Sequence, residues 1–137
     1  MALTFNGIAQ GYITDRVAEL LRGEGLHDVL LNLGEIRALP GRSWRIGIAG
    51  ANQTIGLSDA AIAQSAGRGT AFTTDGRWHH LIDPKTGQSA RGLTSVTITA
   101  PTATEADALS TALFVTPPAD RAGLVRRFPG TQMWIET

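Results

Sequence analysis

Apolar residues recur at three- and four-residue steps through Ile8, Tyr12, Ile13, Val17, Leu20 and Leu21. That spacing predicts an amphipathic helix over Ile8 to Leu21, and Gly23 and Gly25 supply its stop signals. The run Val29-Leu30-Leu31-Asn32-Leu33, closed by Gly34, reads as a mostly buried strand, while Trp44 to Ile48 alternates with period two like a half-buried one. The short, small-residued string AIAQSAG between Ala60 and Gly67 predicts a strand running into a tight loop. Trp78 to Ile82 predicts a strand that enters the turn Asp83-Pro84-Lys85-Thr86-Gly87, with proline at the second turn position and a glycine close behind.

Leu93 to Ala100 sets Val96, Ile98 and Ala100 against Thr97 and Thr99 and is the clearest strand of the chain. Behind it, Thr102 and Glu105 form a T-x-x-E capping box that opens a helix over ADALSTALF, with Pro101 restricting the residue before it. A short helix over Asp120 to Phe128 and a strand over Gln132 to Glu136 complete the pattern. Strands and helices alternate irregularly, with hairpin-like turns between them. The expected class is α+β and not a regular doubly wound sheet.

Composition narrows the functional classes. The chain has 137 residues, 42% hydrophobic and 18% charged, with twelve basic residues against twelve acidic ones. A chain of this length buries roughly two thirds of its unfolded surface and forms one domain over residues 1–137 by default. Outside the cluster Arg121, Arg126 and Arg127 the arginines are scattered, so no basic face for nucleic acid is expected. No apolar run approaches a bilayer-spanning length, and the opening MALTFNGIAQ carries no visible export signal. The absence of cysteine removes disulfides, thiolate nucleophiles and Cys-based metal sites. Any metal is therefore held by oxygen or imidazole.

Candidate chemistry concentrates in a few places. Asp107 and Thr111 lie four apart on the capped helix, and Ser110 sits near their stripe, so three oxygen-bearing side chains share a face. One reading is a hard cation such as Mg²⁺ held by oxygens; the other is small polar residues bonding back to the previous turn or facing water. His79 and His80 adjoin on a predicted strand end, where neighbours point to opposite faces, so at most one lines a given pocket. His27 reads as structural. Gly7 and Gly11 flank the entry of the first helix, a spacing that admits either a phosphate near its free amides or a closely packed second helix.

Taken together, NGIAQGYITDRVAELL, LLNLGEIRA, WRIGI, HLIDPKTG and SVTITAPTATEADALSTALFV, in that order and at those separations, resemble the ApbE family of FAD:protein FMN transferases. The resemblance runs from about Thr4 to the final strand. It implies an ApbE-like, T-fold-related mixed sheet with packed helices, lacking the N-terminal part of the family domain. The chain would begin where the second half of the longer family enzymes begins.

For activity, the resemblance implies Mg²⁺-dependent transfer of FMN from FAD to a serine or threonine hydroxyl of a redox partner protein, with release of AMP. Asp107, Ser110 and Thr111, with the backbone carbonyl of Gly7, match the metal-binding positions. His80 matches the histidine of the H-I-I-D-P segment and would be the general base. Flavin contacts would fall at Thr4, Gln10 and Ile82, the turn from Asp83 would shape the pocket, and Ser65 is a further candidate. The family acts largely at the periplasmic face of the bacterial inner membrane, and the open side of the domain would be covered by an N-terminal half or a second copy in a homodimer.

The chain departs from the family pattern at several points. Thr4 stands where aspartate is common, Gln10 where lysine or glutamate is common, the block Asn32 to Glu35 lacks its second glycine, and Ala66 interrupts a serine–glycine pair. The alternatives carried beside the transferase are an FAD pyrophosphatase yielding FMN and AMP, and a non-catalytic flavin-binding or interaction module.

Overall fold

The computed structural model describes residues 3–137. The elements run α1 (Ala9–Gly23), β1 (Leu30–Asn32), β2 (Ile36–Ala38), β3 (Trp44–Ile48), β4 (Gln53–Leu57), β5 (Ala60–Ala66), a 3-10 turn (Gly67–Thr70), β6 (Ile82–Asp83), β7 (Gln88–Ser89), β8 (Ser95–Ala100), α2 (Ala103–Val115), α3 (Pro118–Val125) and β9 (Gln132–Glu136). This is the expected α+β class. The main sheet has five strands in the order β1-β2-β5-β8-β9, and each of its ladders is antiparallel.

Strand alternation decides which side each helix occupies. On β5, Ala61 and Ala63 join the core beneath α2, while Ile62 points to the other face, where it meets Ile48 and Leu57 of the β3–β4 hairpin. On β8, Val96, Ile98 and Ala100 face α2 together with Leu109, Leu113 and Phe114. The opposite row is polar, with Thr97 and Thr99 buried and Gln64 exposed, and Gln64 Nε2 donates to Thr97 Oγ1 at 2.9 Å and to the carbonyl of Ala49 at 3.2 Å. Both faces of the sheet are thus buried, one by helices and one by a hairpin, and all six residues of β8 are inaccessible.

The two central helices cap each other. Thr102 Oγ1 accepts from the Glu105 amide at 3.1 Å, as the capping box predicts. The next free amides of α2 are satisfied from α1: Asp15 accepts from Ala103 N at 2.9 Å and from Thr104 N at 2.8 Å. In return, Asp107 of α2 accepts from Gly11 N in the first turn of α1 at 2.9 Å. Each carboxylate therefore meets the positive end of the other helix. Buried Arg37 stands beside this pair, with Nε 3.7 Å from Asp15 and Nη2 3.0 Å from Asp59.

Several sequence-derived expectations change. The face of α1 that is buried carries Gly11, Thr14 and Ala18, not the apolar stripe, and Tyr12, Ile13 and Leu20 are exposed at 56%, 57% and 67%. Close helix crossing explains this, because a Cβ on Gly11 would stand 2.3 Å from the Ala103 carbonyl oxygen, so only small residues fit the crossing. The run 29–33 forms only three strand residues before a turn reverses the chain into β2. Trp78 to Ile82 is mostly loop, holding one bridge between Ala71 and His79, because its amides at Trp78, His79 and Leu81 bond to side chains, which interrupts a continuous ladder. The last helix begins earlier than Asp120, with Pro118 at its first position, and β4 went unrecognised.

Candidate functional site

The α1–α2 crossing brings most of the sequence-derived oxygen donors together. Ser65, on the α2-facing row of β5, lies 2.8 Å from Ser110 Oγ and 3.1 Å from Thr111 Oγ1. Ser110 also donates to the Asp107 carbonyl at 3.0 Å, so it bonds back along its own helix while it meets the cluster. The entry to α1 closes the other side. A Cβ on Gly7 would sit 2.8 Å from Thr111 Cγ2 and 3.3 Å from Thr111 Oγ1, so glycine lets the backbone at the entry of α1 lie close against the Thr111 side chain.

A residue the sequence reading passed over completes the electrostatics. Glu35, in the turn between β1 and β2, is 9% exposed, and its pKa is raised to about 7 by burial and then by the charge of Asp107. Burial also raises the pKa of Asp107, opposed by the Gly11 amide. Two carboxyls that resist ionising beside each other form a site where an added cation is favourable. The signal in the sequence is the block Asn32 to Glu35, which departs from the family pattern by lacking its second glycine. Gln10 ties that block down, its Nε2 donating to the Leu33 carbonyl at 2.8 Å and packing against Gly34.

No set of three His, Cys, Asp or Glu residues that would bind a metal occurs among the described residues. The candidate donors here are one or two carboxylates and the hydroxyls of Ser65, Ser110 and Thr111, with the backbone of Gly7 close by. That composition fits a magnesium ion, which keeps water and substrate phosphate in its remaining positions, better than a softer metal.

The two histidines differ in what they have left to offer. His79 is buried edge-on to Phe114, and both ring nitrogens are engaged: Nε2 meets the Ala90 carbonyl at 2.9 Å, and Nδ1 accepts from Leu81 N at 3.3 Å. His80 is exposed, and its Nδ1 meets the Thr70 carbonyl at 3.3 Å. A carbonyl can only accept, so in that contact Nδ1 is the donor, and in the neutral ring Nε2 is the nitrogen with the lone pair.

His80, Ile82 and Asp83 belong to a separate segment, and no hydrogen bond joins them to the oxygen cluster among the described residues. Ile82 is 45% exposed on the small β6–β7 ribbon, and Asp83 organises the turn by accepting from Lys85 N at 2.9 Å. Thr4 is exposed and accepts from Asn6 N at 3.3 Å.

An antiparallel sheet packed under crossed helices, with a buried oxygen-donor cluster at the crossing and a histidine segment beyond it, defines an α+β domain with one candidate site. The ApbE family model matches residues 1–135, and the chain belongs to that family. It is 33% identical over 152 residues to the FAD:protein FMN transferase of Treponema pallidum, covering 95% of this chain and 42% of that one. With the enzyme of the same name from Haemophilus influenzae it shares 38% identity over 125 residues, covering 80% of this chain and 36% of the relative. Among solved structures, the ApbE protein of Thermotoga maritima matches with a TM-score of 0.81 and 36% identity over 97% of this chain and 48% of its own. The apo flavinyl transferase ApbE of Pseudomonas stutzeri gives 0.79 and 33%, over 97% and 45%. The chain thus spans less than half the length of each of these proteins.

Proposed function

We propose that this chain forms the metal-binding and acid–base part of an FAD:protein FMN transferase, acting with Mg²⁺ on a serine or threonine hydroxyl of a redox protein at the outer face of the bacterial inner membrane. The observation that carries the reading is the convergence of Gly7, Ser65, Asp107, Ser110 and Thr111 at one helix crossing, with Glu35 beside Asp107. Asp107, Thr111 and the Gly7 carbonyl would hold the cation, and Ser65 and Ser110 would fix their orientation. The cation supplies neutralisation of the charge on the flavin pyrophosphate.

In the transfer, the acceptor hydroxyl oxygen bonds to the phosphorus of the FMN moiety while the bond from that phosphorus to the AMP oxygen breaks, and AMP leaves. The hydroxyl proton goes to Nε2 of His80, the ring nitrogen left without a partner. Little covalent work is asked of the protein in such a displacement; positioning and charge carry most of it. Thr4, Gln10 and Ile82 would contact the flavin, and the turn from Asp83 would bound its pocket.

Incubation of the protein with FAD, Mg²⁺ and an acceptor protein should give a covalently flavinylated band, fluorescent under ultraviolet light and abolished by Asp107→Ala. Formation of FMN and AMP with no labelled acceptor would replace transfer by hydrolysis. FAD binding that survives Asp107→Ala with no turnover in either protein would leave a flavin-binding module.

A further inference from the structure

A second feature lies outside the oxygen cluster. Arg68, Arg77 and Arg91 converge from three loop segments on one cleft of about 210 Å³, whose inner wall is His79 and Ala90. All three are exposed, and none forms an ion pair among the described residues. Asp75 is the one acidic residue in the cleft lining, and its Oδ1 already takes the Thr73 hydroxyl at 2.6 Å and the Arg77 amide at 3.0 Å. A cleft lined by three arginines against a single carboxylate carries a net positive charge that suits carboxylate or phosphate oxygens.

Its surroundings favour a protein ligand. Phe72 and Trp78 stand at the two ends of the loop that bears Arg77, held side by side by the Phe72 amide donating to the Trp78 carbonyl at 2.7 Å, yet they are 67% and 44% exposed. Exposed aromatics next to arginines are what protein interfaces concentrate at their energetic centres. The cleft is smaller than the roughly 300 Å³ at which nucleotide-sized pockets begin, so it suits a side-chain carboxylate better than a dinucleotide. The His79 ring in its wall is 6.5 Å from the ring of His80.

We infer that the cleft of Arg68, Arg77 and Arg91, with Phe72 and Trp78 exposed on the loop that bears Arg77, docks an acidic segment of the protein that receives FMN and so leads its hydroxyl past His80. The identity of the occupant rests on the transferase reading. Recognition of a carboxylate-bearing segment does not.

A fluorescein-labelled peptide of four aspartates around one serine is the probe for binding, read by anisotropy at 50 and 300 mM salt. It should bind the wild-type chain, weaken at the higher salt, and lose about tenfold in affinity with Arg77→Ala and again with Arg91→Ala, the scale of one hydrogen bond to a charged group. Both residues are exposed, so the variants fold, and Arg77→Glu should weaken binding further. With an acceptor protein, the same variants should raise KM for the acceptor while kcat and KM for FAD stay unchanged. Affinity indifferent to the arginines, or no binding at all, overturns the proposal. Displacement of the peptide by FAD or by inorganic phosphate, or a rise in KM for FAD in place of that for the acceptor, also overturns it and gives the cleft to phosphate. Peptide binding without FMN transfer in the wild type refutes the transferase reading alone.

Discussion

The same substitution made twice in α1 should have opposite effects. At Gly11, a Cβ would lie 2.3 Å from the Ala103 carbonyl oxygen, 2.7 Å from its carbonyl carbon and 2.7 Å from Asp107 Cβ, where real contacts are not found below 3.0 Å. Two of those atoms are backbone, so α1 must move away from α2. Alanine gains about 1 kcal/mol of helix propensity over glycine. Against it stand about 1–3 kcal/mol of overpacking and strain on the 2.9 Å bond from Gly11 N to buried Asp107, a charge-assisted contact of about 1.5–3 kcal/mol.

The clash wins, and Gly11→Ala should destabilise by about 2–3 kcal/mol. For a chain of this size that is a fall in Tm of roughly 6–10 °C. Gly23 meets nothing within 4 Å, so Gly23→Ala should stabilise by about 0.5–1 kcal/mol. Urea unfolding followed by circular dichroism measures both. A Gly11→Ala protein as stable as the wild type would refute the close crossing and, with it, the geometry assigned to Asp107 and Thr111.

Three further outcomes follow from the site. In metal-free buffer, the Glu35 pKa, raised from 4.5 to about 7, makes the fold prefer the protonated acid: its stabilisation is present below pH 4.5 and is lost as pH rises to about 7. The loss totals about 3 kcal/mol over 2.5 pH units, and Glu35→Gln should flatten thermal melts across that window; parallel wild-type and variant profiles would contradict the assignment. Asp15→Asn removes a charged acceptor from two α2 amides and from Arg37, and should cost about 2–3 kcal/mol by chemical denaturation; in a double-mutant cycle part of that cost should disappear in an Arg37→Met background. His79→Ala should lower Tm by several degrees, roughly 1–3 kcal/mol, through lost packing on Phe114 and an unpaired Ala90 carbonyl, whereas His80→Ala should leave Tm within about 2 °C of the wild type and reduce acceptor labelling.

The histidine pair shows how far the residues themselves carried the reading. Alternation along a strand required that one of two adjacent histidines turn away from any shared pocket, but only the fold shows that His79 turns inward with both ring nitrogens engaged while His80 stays exposed. Glu35 was missed for a related reason. Its altered acidity comes first from burial, which only the folded chain creates, and then from the charge of Asp107, 72 positions away in the chain.

By itself the sequence determined what is local or periodic. The Thr102 cap, the β8 alternation and the sharing of one face by Asp107, Ser110 and Thr111 follow from hydrogen-bond geometry and from the 2.0 and 3.6 residue repeats. Only the tertiary structure decided which face of α1 turns inward. An apolar stripe predicts burial by surface area, yet at this crossing backbone approach and reciprocal carboxylate caps outweigh area, so Gly11, Thr14 and Ala18 go inside while Ile13 and Leu20 remain exposed. That choice sets the distance between the two helices, and with it the site they share.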